Sequence, residues 1–343
     1  MFTRINSSGI QGIGAYPVSV EADVANGLPG FSISGQLSTE VREAQERVRI
    51  ALKNSGFQLP AKKITVNLSP AGVKKGGTAF DLPIAVAVLG AFGVLDTGGL
   101  GECLVIGELG LDGSVKPVQG VLVHTEAARA GGQCILPGEN EREGRLIKGI
   151  QIIGIRSLKE LVQTLARPDW KSTGQKEETE EEENDRSCEG DSVDFKEING
   201  QGVLRRAAEV AAAGMHGLLM CGSAGTGKSM VASRIPTILP GLTREEDIEI
   251  SRVYSVCGKL PSGRPLLSKR PFHTISPQGL TGGGRFPVPG EFSLASGGVL
   301  FLDELPHFGR GAIEALRQPL EDRKIMISRV WGSCEFPADF LIV

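Results

Sequence analysis

No two cysteines in this sequence have the CxxC spacing. The six (Cys103, Cys134, Cys188, Cys221, Cys257, Cys334) lie far apart, and the four histidines do not cluster. A structural zinc site needs closely spaced ligand pairs, and a disulfide framework needs dense, paired cysteines. Neither pattern fits, so the expectation is reduced thiols in a cytoplasmic protein without zinc. A long apolar run is missing too. The longest, residues 82–95, is about 14 residues and contains Pro83, Gly90 and Gly93. A bilayer-spanning helix needs roughly 20 residues, so a buried helix is expected there, and no membrane partner. The first ten residues, MFTRINSSGI, carry no basic start followed by an apolar stretch, so no secretory signal is read. Aromatics are sparse at 5%.

Glycine is plentiful, at 47 of 343 residues, with 40% apolar and 22% charged residues. That is the composition of a globular chain too long for one compact core, so two domains are expected. Gly-rich turns between strands and helices point to α/β architecture. The net charge of −3 is unevenly spread. Residues 177–194 hold ten acids against the single base Arg186, a charge of −9 that leaves +6 on the rest. Such a self-repelling segment without an apolar period reads as an extended, solvated linker. The expected organisation is a first domain over 1–168, an acidic disordered linker over 169–194, and a second domain over 195–343. The mildly basic remainder permits a polyanionic partner.

In the first domain, residues 16–24, 30–35 and 64–68 read as strands, as do 103–108 and 134–136. Val41, Ala44, Val48, Ala51 and Leu52 mark one helix face, with Ser38 or Thr39 as the cap and Gly56 as the stop. Helices are also expected over 122–130 and 158–165. The second domain opens with a helix over 202–213 and an apolar strand over 218–221.

After that strand comes Gly222-Ser223-Ala224-Gly225-Thr226-Gly227-Lys228-Ser229, a GxxxxGK[ST] loop, and then an expected helix from Lys228. Strand, loop and helix in this order form the context of a P-loop. The glycines let backbone N–H groups turn inward around phosphate oxygens. Lys228 is expected on the β- and γ-phosphates of ATP, and the Ser229 hydroxyl on Mg²⁺. Residues 299–302 are four apolar residues followed by Asp303 and Glu304. A buried strand ending in two acids supplies the Walker-B half: Asp303 for the Mg²⁺ shell, Glu304 to orient or deprotonate the attacking water.

Around these motifs lie Thr274-Ile275-Ser276, Gly282-Gly283-Gly284, Pro289-Gly290-Glu291 and Leu316-Arg317-Gln318-Pro319. Gly27-Leu28-Pro29-Gly30-Phe31 and Ala79-Phe80-Asp81-Leu82-Pro83 stand in the first domain. Together they resemble the Mg-chelatase-like AAA+ ATPases of the ComM (YifB) type. The resemblance implies an N-terminal Lon-protease-like (S5-like) α+β domain followed by a P-loop AAA+ domain with a parallel sheet. It also implies a homo-oligomeric ring, often a hexamer, and ATP-driven DNA remodelling by branch migration. Alternatives are the ATPase motor of a metal chelatase, or a ring subunit that binds ATP without hydrolysing it. In the family, the sensor Asn, arginine finger and helical lid follow the strand that this sequence reaches at 341–343. The second domain is therefore expected to be incomplete at its C-terminus, and to hydrolyse ATP poorly alone.

The first domain also resembles the Lon proteolytic domain around Gly113-Ser114-Val115-Lys116-Pro117-Val118-Gln119-Gly120. Lon chemistry pairs a Ser nucleophile with a Lys amine. By position the nucleophile falls on Thr78 and the lysine on Leu122, so a scaffold without the dyad is expected. Lys269, Arg270, His273 and Arg285 flank the insert before Asp303. They fit either a pore loop on a nucleic-acid backbone or a solvated loop. Residues 325–336 fit a β-hairpin, with Trp331 at its tip either stacking on a base or packed on a neighbour.

Overall fold

The structure is a computed structural model. It describes residues 1–128, 132–172, 193–223, 225–261, 266–275, 288–329 and 332–343. The expected acidic linker lies largely outside the described residues. Two compact units result, 1–177 and 178–343.

The first unit runs β1 (Phe2–Gln11), β2 (Gly14–Ala25), β3 (Gly30–Ser34), α1 (Thr39–Asn54), β4 (Lys63–Ser69) and α2 (Asp81–Ala91). It continues with β5 (Cys103–Val105), β6 (Glu108–Leu109), β7 (Val115–Lys116), α3 (Val121–Ala127) and β8 (Gln133–Pro137). Then come α4 (Glu141–Gly144), β9 (Gln151–Ile155) and α5 (Leu158–Leu165). Seven strands form one mixed sheet in the order β3-β4-β2-β1-β5-β8-β9. The β1–β2 and β2–β4 pairs are antiparallel, and the other four pairs are parallel.

Strand alternation places this sheet between two cores. In β8, Ile135 joins the cluster containing α2, while Cys134 and Leu136 join the one containing Val121 of α3. Successive side chains of a strand face opposite ways, so a sheet covered on both faces reads as a continuous apolar run. The helix α2 is buried at every position, which explains its unbroken apolar sequence. In α1, the buried set is Val41, Ala44, Val48, Ala51 and Leu52, one face of a 3.6-residue period. Trp170 buries in the same core, with Gly99 against its ring. The core of the first unit thus reaches past the expected boundary at 168.

The second unit contains α6 (Gly202–Gly214), α7 (Lys228–Ala232), α8 (Arg244–Val256), β10 (Phe272–Thr274), α9 (Glu291–Leu294) and β11 (Val299–Phe301). It ends with α10 (Arg310–Ala315), α11 (Arg317–Asp322), β12 (Lys324–Arg329), β13 (Gly332–Pro337) and β14 (Leu341–Ile342). Its sheet is parallel, in the order β10-β11-β14, a mixed α/β arrangement of AAA+ type. An antiparallel β12–β13 hairpin stands apart from it. Its turn, including Trp331, lies outside the described residues.

One sequence expectation shifts here. Residues 218–221 do not form a ladder strand. Only the Leu218 N–H reaches the sheet, donating to the Ile342 carbonyl at 3.0 Å. The helix expected from Lys228 does begin there and runs for five residues, and a 3₁₀ turn at Ile235–Ile238 follows it. Pro236 sits in that turn, and its missing N–H and its clash with the preceding turn stop an α-helix from continuing.

Candidate nucleotide-binding site

Strand β11 brings the acidic half of the site into place. Val299, Leu300 and Phe301 are all buried, as expected of a parallel strand flanked on both sides. Gly298 permits the close approach that starts it. A Cβ there would lie 2.0 Å from the Pro271 carbonyl oxygen, which accepts the Val299 N–H at 2.8 Å. The strand hands over to Asp303 and Glu304 at its C-terminal end, where open parallel sheets gather ligands. Strand β14 lies beside β11, and the Leu218 bond to Ile342 attaches the segment leading to the glycine loop on the far side of β14.

The two halves meet at Ser229 and Asp303. Ser229 Oγ donates toward Asp303 Oδ2 at 3.5 Å. Gly225 and Gly227 both take positive φ, +79° and +82°, a region open to glycine and costly for residues with a Cβ. Lys228 folds back over the loop. Its Nζ donates to the carbonyls of Gly222 at 2.8 Å and Ser223 at 2.9 Å. Thr226 Oγ1 donates to the Ser223 carbonyl at 2.9 Å. Ala224 lies outside the described residues. Gln201, at the start of α6, donates from Nε2 to the Thr226 carbonyl at 2.5 Å. Nothing in the motif spacing marked that residue.

Glu304 is unusual in its backbone. Its φ of +56° is left-handed in a non-glycine residue, a conformation that costs energy and clusters at functional sites. Its carboxylate accepts from His307 Nδ1 at 3.1 Å, and its own N–H donates to Asp303 Oδ1 at 3.0 Å. An oxygen-only pair such as Ser229 and Asp303 suits Mg²⁺. The inward-turned glycine loop suits phosphate. The residues present therefore fit ATP–Mg²⁺.

The basic residues before Asp303 divide. Lys269 is exposed. Arg270 is spent internally, donating to the Pro240 carbonyl at 2.6 Å and the Gly297 carbonyl at 2.7 Å, with Glu246 beside it. His273 is held between the Tyr254 hydroxyl and the Glu291 carboxylate, each at 2.6 Å. The polar atoms of both are thus engaged within the unit, and His273 ties β10 to Tyr254 of α8 and Glu291 of α9. Arg285 lies outside the described residues.

In the first unit, Thr78 Oγ1 donates to the Glu108 carboxylate. Leu122 is fully buried in α3. Lys75 is fully buried as well, and its amine donates to the Pro70 carbonyl. Burial pushes that amine below its ordinary range. Behind Thr78, Asp81 is buried and takes two bonds from Arg47, at 2.8 and 3.0 Å. On the other side of the sheet, His124 Nδ1 lies 2.7 Å from Ser8 Oγ, and burial pulls the imidazole down to about 4.

Comparison with known proteins agrees with this architecture. Residues 194–343 match the family described as magnesium chelatase, subunit ChlI, and residues 20–140 match subunit ChlI of Mg-chelatase. The chain is 40% identical over 344 residues to the uncharacterized protein YifB of Escherichia coli K12, covering 97% of this chain and 65% of that protein. It is 39% identical over 348 residues to the competence protein ComM of Haemophilus influenzae, covering 99% of this chain and 67% of that one. An uncharacterized protein of Mycobacterium tuberculosis H37Rv is 38% identical over 347 residues, with 99% and 68% covered. The chain spans about two thirds of the length of these relatives.

Proposed function

The chain belongs to the Mg-chelatase-like family that includes YifB and ComM, and from that premise we propose that it is the ATP- and Mg²⁺-binding subunit of a ring-forming AAA+ motor acting on DNA. The observation that carries the nucleotide reading is the meeting of Ser229, in the first turn of α7, with Asp303, just past the C-terminal end of the parallel strand β11, 74 positions apart in sequence.

The roles divide by chemistry. The backbone of residues 222–229 receives the phosphates, and Lys228 exchanges the Gly222 and Ser223 carbonyls for phosphate oxygens. Ser229 and Asp303 hold Mg²⁺ through oxygen. Glu304 takes the role of orienting the attacking water and accepting its proton. Bound ATP–Mg²⁺ supplies the phosphoryl group whose hydrolysis drives such motors. The other face of the nucleotide comes from a neighbouring subunit, as a homo-oligomeric ring provides.

Two facts favour DNA as the partner. Outside residues 177–194 the chain carries +6, and a polyphosphate backbone rewards such charge. Both units also align with a competence protein along 99% of the chain, which favours DNA work over metal insertion. The first unit then serves as a Lon-like scaffold without a protease dyad, since Leu122 cannot accept a proton from Thr78.

The test is binding and turnover in the whole protein. Lys228→Ala is expected to lose ATP binding, and Glu304→Gln to keep it while losing hydrolysis. Calorimetric binding of ATP by Lys228→Ala at micromolar or tighter affinity would sink the assignment. Forked or single-stranded DNA is expected to stimulate hydrolysis. Neither stimulation nor retention on DNA at low salt would remove the DNA part alone.

A further inference from the structure

We infer that Gln201 is a positioning residue of the phosphate loop: its side-chain amide fixes the Thr226–Gly227 peptide so that the Gly227 N–H faces the nucleotide. The inference rests on the P-loop reading above and deepens it.

The geometry supplies the argument. Gln201 Nε2 donates to the Thr226 carbonyl at 2.5 Å. A peptide unit is planar and trans, so its C=O and N–H point in opposite directions. A Thr226 carbonyl tied toward α6 therefore turns the Gly227 N–H away from α6 and into the loop. The other end of Thr226 is also held, by its hydroxyl on the Ser223 carbonyl at 2.9 Å. A freely pivoting peptide could present either its carbonyl or its N–H to a phosphate. The carbonyl would repel the anion and the N–H binds it. Orienting that peptide in advance removes the cost of turning it when the ligand arrives.

Gln201 is itself held rigidly. Its backbone adopts a left-handed conformation, φ +49° and ψ +45°, at the cap of α6. Its carbonyl accepts the Arg205 N–H at 3.0 Å, which leaves the side chain free to point at the loop. Ala208, Ala211 and Ala212 of α6 share one core with Val231 of α7 and with Ile235. The donor and the loop that it steadies thus stand on the same packed base. Gly227 lies directly beside the donor: a Cβ there would be in ordinary van der Waals contact with Gln201 Nε2, at 3.5 Å. The bond lies at an exposed surface, where it adds little to folding. Its value lies in which way the peptide faces.

The experiment compares ATP, ADP and adenosine as ligands of the whole chain, by calorimetry and by competition, in wild type, Gln201→Met and Gln201→Glu. Methionine keeps the length and removes the donor, while glutamate keeps the shape and can only accept. For both variants, ATP and ADP affinity is expected to fall about tenfold, as for one lost contact to a charged group. Adenosine affinity and the melting temperature are expected to stay at wild-type values. Gln201→Met binding ADP as tightly as wild type would overturn the inference. So would equal losses for ADP and adenosine, which would place Gln201 on the base or in the fold. Wild type failing to bind ATP would instead overturn the P-loop reading itself.

Discussion

Ser229 Oγ and Asp303 Oδ2 stand 3.5 Å apart. Two neighbouring oxygens in an octahedral Mg²⁺ shell lie about 2.9 Å apart, from metal–oxygen distances near 2.05 Å. A closure of a few tenths of an ångström turns this pair into two ligands of one cation. Asp303→Asn is therefore expected to erase most of the gain in ATP affinity that Mg²⁺ provides, at least about tenfold. Affinity measured in a chelator should be unchanged. Calorimetry with and without Mg²⁺ checks this, and an equal loss in both conditions would contradict it.

His124 gives the first unit a pH dependence of known sign. The folded imidazole titrates near 4, against about 6.5 when unfolded. Between those values the unfolded chain takes up a proton that the folded chain refuses. Stability is thus intact above pH 6.5 and falls as pH drops toward 4, by up to about 3 kcal/mol. Urea midpoints at several pH values should trace this slope, and His124→Gln should flatten it. A variant with the wild-type slope would show that another group is responsible.

Arg47 and Asp81 form a pair in which the carboxylate is almost wholly buried, with a side-chain exposure of 1% against 20% for Arg47. Burial pushes the Asp81 carboxyl up, and the Arg47 guanidinium pulls it back. Arg47→Ala leaves the burial alone, so a loss of about 3 kcal/mol is expected at neutral pH. Asp81 in that variant should hold its proton to higher pH when folded than when unfolded. Its stability then rises as pH falls, and the deficit against wild type narrows in acid. Urea unfolding of wild type and variant at neutral and acidic pH reads both effects.

Thr78 is expected to be chemically silent. Its hydroxyl faces the Glu108 carboxylate, and the position that needs an amine holds Leu122. Casein and peptide substrates should not be cleaved, and Thr78→Ala should change nothing. Cleavage that disappears in Thr78→Ala would reverse this view of the first unit.

Much of this organisation is readable from residue types alone. The apolar face of α1 follows from its period, and Gly56 ends the helix with a φ of +86°. The glycine loop and the acids after β11 are local patterns, and local patterns survive folding. Contacts between distant segments were harder to see. The strand β1 escaped because it contains Asn6, Ser7, Ser8 and Gly9; it is held by ten cross-strand partners in β2. Gly9 there lies under the Tyr16 ring, where a Cβ would come within 2.4 Å. The single strand expected over 103–108 is two, because the Gly107 N–H and carbonyl turn aside to Ala79 and Leu82. The capping box of α8, Thr243 with Glu246, is a local signal of the same kind as the Gly56 stop. Gln201, Tyr254 and Glu291 act through partners 18 to 25 positions away, which no local spacing encodes.

The left-handed backbone of Glu304 has a consequence for anyone breeding hardier variants of this protein. A side chain in that conformation costs roughly 1 kcal/mol that glycine would not incur. A screen that rewards heat tolerance and ignores turnover should therefore enrich Glu304→Gly or Glu304→Asn. Under the role proposed for Glu304, those winners would be tougher proteins that no longer turn over ATP, so any such library needs an activity gate at this one position.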